Sequence, residues 1–173
     1  MTLGSHQSCV GKSQNHITPR HFIERLGPFD LDPCAAMPRP WNCASWSITP
    51  PMDGLLAPWG GFIWLNPPFD RYVVGKWISK LASHNNGIAL LHARTEAEWF
   101  LPVWQSARSI LFLADRIKFC RPDGTEQPAN SGAPAVLAAF GELAHQRLLD
   151  SRLAGFLVEH RLALAMPNWR IRS

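Results

Sequence analysis

Asn66-Pro67-Pro68-Phe69 is the stretch of this chain whose residue types and spacing could do chemistry. It closes an apolar run, Phe62-Ile63-Trp64-Leu65, that reads as a buried strand. The prolines stop that run, because neither ring donates a backbone hydrogen bond and each fixes its own φ. One reading is a strand that ends in a rigid turn. The other is an active-site lip that presents a side-chain amide, a stiffened backbone and an aromatic ring together. A second stretch favours the lip. Phe29-Asp30-Leu31-Asp32-Pro33 alternates as a strand and also finishes in a polar residue plus proline. In an α/β sheet, ligands bind beyond the carboxyl ends of the strands, so Asp32-Pro33 and Asn66-Pro67 fall on one edge.

The elements that must hold these ends can be read from the pattern. Residues 1–17 read as a flexible lead-in and residues 18–173 as one domain. Thr18-Pro19 predicts an N-cap and first helical residue for a short helix through Leu26, closed by Gly27-Pro28. Residues 37–61, rich in Pro, Trp and Gly, predict an irregular segment with short pieces of structure. Tyr72, Val73, Trp77 and Leu81 recur at helical spacing, so a helix is expected near 71–84, ended by Asn85-Asn86-Gly87. Further strands are expected at 87–92, 109–113, 117–119 and 134–140, with a helix at 96–107 and a polar loop over 121–134. The final thirty residues read as helical before Pro167. Strands separated by helices predict an α/β sheet with parallel strands.

Composition narrows the class. The chain has 173 residues, enough for one buried core, and 46% apolar with 17% charged residues argues against disorder. Net charge is +4, but its distribution says more: residues 71–121 carry eight Lys/Arg against three Asp/Glu. That excess suits a phosphate-bearing partner, and equally a solvated basic helix face. Cys9, Cys34, Cys43 and Cys120 form no CxxC pair and no zinc-type spacing with histidine, so they are expected to be free thiols. No signal-peptide core and no stretch of membrane-spanning length is present, which predicts a cytoplasmic protein with no membrane contact. No obligatory protein partner is evident.

Asn66-Pro67-Pro68-Phe69 resembles the [DNS]-P-P-[YFW] motif of amino-group methyltransferases that use S-adenosylmethionine. A chance match in a chain this long is on the order of one in a thousand at average proline usage. The wider order of motifs resembles the compact DNA N6-adenine methyltransferases (Dam type) carried by phages and prophages. The matching pieces include Thr18-Pro19, FDLDPCA at 29–35, DGL at 53–55, WLNPPF at 64–69, LLHARTEAEWF at 90–100 and DRIKF at 115–119. PDG at 122–124 and AP at 133–134 also fit. The resemblance covers roughly residues 17 to 141. It implies a single-domain Rossmann-like methyltransferase sheet with flanking helices, double-stranded DNA as substrate, S-adenosylmethionine as cofactor, and a bacterial host cytoplasm as the place of action.

The chemistry can be argued beside it. The exocyclic amino nitrogen of adenine is a poor nucleophile, because its lone pair is delocalised into the ring. Two acceptors aimed at its N–H groups, Asn66 Oδ1 and the Pro67 carbonyl, would free that pair. Pro68 stiffens the turn, and Phe69 could stack on a base swung out of the duplex. Methyl transfer is then positioning and electrostatics, with no metal and no covalent nucleophile.

For the cofactor, Asp32 and Pro33 resemble its first motif, Cys34 and Ala35 lie in the loop beside the methionine moiety, and the resemblance adds Thr18 and Pro19. The glycine-rich turn usual after that strand is replaced by Cys34-Ala35-Ala36. Asp53 matches an acidic position that contacts the cofactor's adenine, and reads equally as a turn residue before Gly54. Arg94, Arg116 and Lys118 could hold DNA phosphates or be solvated. Asp30 reads as a solvent-facing strand residue, and Trp59 and Trp64 as core. Two rivals remain open: a DNA-binding module that keeps the fold without turnover, and an NPPF enzyme acting on RNA or protein glutamine.

Overall fold

Apolar runs without polar alternation become central strands when helices cover both faces of a sheet. The computed structural model describes residues 16–160. Its strands are β1 (Leu31–Asp32), β2 (Trp46–Ser47), β3 (Ile63–Leu65), β4 (Gly87–His92), β5 (Ser109–Leu113), β6 (Ala135–Phe140) and β7 (Gly155–Glu159). The helices are α1 (Arg20–Leu26), α2 (Val74–His84), α3 (Leu101–Ser106) and α4 (Glu142–Asp150). All seven strands form one sheet in the order β2-β1-β3-β4-β6-β5-β7.

Alternation along β4 sorts the core into two layers. Ile88 and Leu90 face Phe22 and Leu26 of α1 and Leu148 of α4. Ala89 and Leu91 face Val74, Ile78 and Leu81 of α2 and Val103 of α3. Every residue of β6 is buried, which explains its unbroken apolar sequence. The result is a three-layer α/β domain, one sheet with helices on both faces, as the resemblance implies. No helix among the described residues is long and apolar enough to cross a membrane.

Several expectations change in physical detail. The sheet is mixed rather than parallel: β2, β1, β3 and β4 run parallel, while β6 is antiparallel to both β4 and β5, and β7 to β5. A return without a crossover helix suffices for antiparallel neighbours, and the loop between β5 and β6 makes it. The last described segment is not all helix. α4 stops at Asp150, and Gly155–Glu159 pairs along β5 as an exposed edge strand. Residues 161–173 of that expectation lie outside the described residues.

Pro19 is the N-cap of α1 rather than its first residue, and Thr18 makes no cap there. The expected helix at 96–107 breaks into one 3-10 turn, Glu98–Phe100, and α3, where Pro102 opens the helix. Ile117 and Phe119 are buried, yet no strand forms there. Instead the Ile117 and Phe119 carbonyls accept from Ser131 and Gln127, and Cys120 bridges to Ile17. Ile17 is itself buried, so the fold includes the end of the expected lead-in; residues 1–15 lie outside the described residues. α2 ends as expected, with Asn85 in the left-handed region (φ 53°) and its N–H on the Leu81 carbonyl at 2.8 Å.

Candidate active site

β1 and β3 are parallel neighbours, so Asp32 and Asn66 emerge on the same edge, and both line one cavity of about 410 Å³. Two devices join β1 and β3 at their amino ends. The Asp30 carboxylate accepts the Phe62 N–H at 2.6 Å, so this exposed residue completes the β1–β3 pairing rather than merely facing solvent. Gly61 (φ +73°) is required beside it, since a Cβ there would lie 2.4 Å from the Asp30 carboxylate.

Asn66 is fixed from the N-terminal side. Its Nδ2 donates to the His16 carbonyl at 2.7 Å and to Thr18 Oγ1 at 3.3 Å. With both amide hydrogens held, the orientation of the amide is set, and Oδ1 is buried without a partner among the described residues. Thr18, only 2% exposed, lines the cavity and also bonds Asn66. The Cys34 thiol donates to the Asn66 carbonyl at 3.3 Å and joins the two strand-end loops. Burial, with Asp32 beside it, pushes that thiol well above its usual range, so it keeps the proton it donates.

Asp32 is 5% exposed and accepts the Cys34 N–H at 3.2 Å. Burial pushes its carboxyl up to about 7, against the opposing pull of that N–H and of the Arg39 charge. The turn at Cys34-Ala35-Ala36 needs no glycine: none of these residues has positive φ, and the Ala35 N–H bonds the Ile48 carbonyl at 3.1 Å. Asp53 also lines the cavity while capping its own turn, its Oδ1 accepting the Leu55 N–H at 2.8 Å. The turn reading of Asp53 holds, in a turn that borders the cavity. Gly54 brings the turn in, because a Cβ there would lie 1.9 Å from the Pro33 carbonyl oxygen.

Phe69 stands apart from the cavity lining. Its ring stacks on His92 at 4.0 Å between centroids and 13° between planes, with His16 tilted 6.0 Å away. Burial, then the charges of Arg94 and His16, hold the His92 imidazole down to about 4, so it stacks as the neutral ring. Pro67 is buried, Pro68 lines the cavity, and Pro33 and Ala35 line it from the other loop. Pro19 is buried at the head of α1. Trp64 is fully buried, and Trp59 stacks on Trp77 under Lys80.

Arg94, Arg116 and Lys118 are exposed and none of them lines the cavity. Arg116 donates to the Gly132 carbonyl and so braces the 121–134 loop. Sequence reasoning missed His16, Arg39, Trp41 and Cys43, all of which line the cavity. His16 lies in what reads as a lead-in, and the other three lie in the irregular 37–61 segment, so no periodicity marks them.

No curated protein and no solved structure matches the chain. The family model for DNA N-6-adenine-methyltransferase (Dam) matches residues 15–152, which span both strand-end loops and every strand but the last. With the Asn-Pro-Pro-Phe edge and its buried acceptor, that match means that the chain belongs to the DNA N-6-adenine-methyltransferase (Dam) family.

Proposed function

We propose that this enzyme transfers the methyl group of S-adenosylmethionine to the N6 amino group of an adenine swung out of double-stranded DNA. The observation that carries the reading is Asn66 Oδ1, a buried acceptor with no partner among the described residues and an orientation set by two bonds to the other end of the amide. An unpaired buried acceptor costs about 1–3 kcal/mol, a cost offset when an amino group donates to it.

In this reading Asn66 Oδ1 and the Pro67 carbonyl accept the two N6 hydrogens, drawing the nitrogen toward a tetrahedral shape. Pro68 holds the turn. His92 backs one face of Phe69 and stiffens it, and the base stacks on the remainder of the half-exposed ring. Thr18 acts through Asn66 as a positioning residue. Asp32 offers an acceptor to the cofactor's ammonium group, with Pro33, Cys34, Ala35 and Asp53 around it. When bound, the cofactor supplies an activated methyl group on a sulfonium. Pro19 holds the Thr18 segment at the head of α1. Arg94, Arg116 and Lys118 offer charge to DNA phosphates outside the cavity. The setting is the cytoplasm of a bacterial host, with a phage or prophage as the source of the gene.

Three substrates test this. DNA incubated with the protein and cofactor should yield N6-methyladenine on nuclease digestion and mass spectrometry, and RNA or a glutamine peptide should yield no methylated product. Phe69→Ala should lose about 1–3 kcal/mol of base capture, the scale of one stacked base. A mismatched adenine, already partly unstacked, should restore more activity to Phe69→Ala than to Asn66→Ala. Equal rescue of both variants would remove base flipping from the reading.

A further inference from the structure

Besides Asn66 Oδ1 and His16 Nδ1, the cavity lining holds a third unpaired group, from the irregular segment after β1, and an unclosed charge pair between that segment and Asp32 of β1. Trp41 Nε1 is buried with no acceptor among the described residues, although its ring lines the cavity. Indole N–H groups usually find a partner when buried. Two residues earlier, Arg39 lines the same cavity, tethered by Nε to Asn42 Oδ1 at 3.0 Å and by Nη1 to the Ala36 carbonyl at 3.4 Å. Asp32, the last residue of β1, lines the same cavity. A carboxylate and a guanidinium that share a cavity gain most by closing into a bidentate pair. Here they do not close: the ion pairs among the described residues are Arg20–Glu24 and Arg108 with Glu142 and Glu159.

The lining therefore carries an acceptor from β1 and two donors from the segment after it, one of them charged. An α-amino acid has complementary chemistry, with an ammonium and a carboxylate on one carbon. A nucleobase has no such charges, and a phosphate would meet the Asp32 carboxylate unfavourably. We propose that Arg39 and Trp41 bind the carboxylate of the cofactor's amino-acid end, while Asp32 binds its ammonium. This rests on the cofactor reading above and assigns two residues to it. Gly124 supports the placement of Trp41, since a Cβ there would lie 3.4 Å from the indole ring, so the 121–134 loop backs the indole.

Calorimetry with two probes tests the assignment without turnover. S-adenosylhomocysteine carries the amino-acid end, and 5′-methylthioadenosine keeps the nucleoside and the sulfur but lacks it. Arg39→Ala should weaken S-adenosylhomocysteine by about 10–100-fold, the scale of hydrogen bonds to a charged group, and leave methylthioadenosine unchanged. Trp41→Phe keeps the ring and loses the N–H, so it should weaken S-adenosylhomocysteine alone, by about fivefold. Equal weakening of both probes would mean a general packing role and would overturn the assignment. So would unchanged S-adenosylhomocysteine binding, including the case where Arg39→Ala instead weakens DNA. If the wild type binds neither probe, the cofactor reading falls and this assignment falls with it.

Discussion

The two halves of the sheet are built differently. On the β2-β1-β3 side the strands are two or three residues long, and parallel pairing sends their ends into loops at one edge. On the β4-β6-β5 side the strands are five or six residues long and antiparallel, with ladders in full register. The short side carries the unpaired Asn66, Trp41 and His16 atoms and the Asp32 carboxyl that burial pushes up to about 7. The long side carries buried apolar layers and one buried polar pair, His145 with Ser109 at 2.9 Å. The lesson is a division of labour. Ladders and packing hold the domain on one side, while the other leaves polar groups unsatisfied.

The largest effects should separate the halves outright. Leu137→Ala, in the fully buried β6, should cost about 2–5 kcal/mol in denaturant unfolding, with turnover per folded molecule unchanged. Asn66→Ala should do the reverse: turnover falls by about 10²–10³, the scale of losing one preorganised transition-state hydrogen bond, with only a small shift in melting. If Asn66→Ala destabilised the fold as much as Leu137→Ala, the division would be broken.

Next in size is a pH effect on the short side. The Asp32 carboxyl is raised from 3.8 to about 7 in the folded protein. Its protonated form favours the fold, so its contribution to stability is present below pH 3.8 and is lost as pH rises toward and through 7. Asp32→Asn should therefore melt higher than wild type at pH 8, with the gap closing toward pH 4. Cofactor binding should run the other way. From pH 7 to pH 5 wild-type affinity should fall, approaching about tenfold per unit, and Asp32→Asn should bind weakly at every pH. A wild type whose affinity is flat over that range would detach Asp32 from the ligand.

The smallest effect lies outside both halves. Lys118→Ala should weaken DNA association for all sequences alike and lower the salt-dependence slope by about one. Filter binding over a salt series reads this directly, and an unchanged slope would leave Lys118 as a solvated charge.

Much of this was legible in residue types. Asn66-Pro67-Pro68-Phe69 and Asp32-Pro33 stand at strand ends because prolines stop strands, and that rule is local. The apolar runs of β3, β4, β5 and β6 announced themselves because both faces are buried. β7 did not, because three of the four side chains after its glycine are exposed and only pairing with β5 makes it a strand. Strand direction in β6 was equally silent, since an apolar run reads the same in either sense. The separation of Asp32 from Arg39, the stacking of Phe69 on His92 and the reach of His16 across to Asn66 were decided by tertiary structure alone. Asn66 receives its bonds from residues 48 and 50 positions earlier. Local chemistry named the acceptor at residue 66, and only the folded chain could hold one end of its amide and leave the other without a partner.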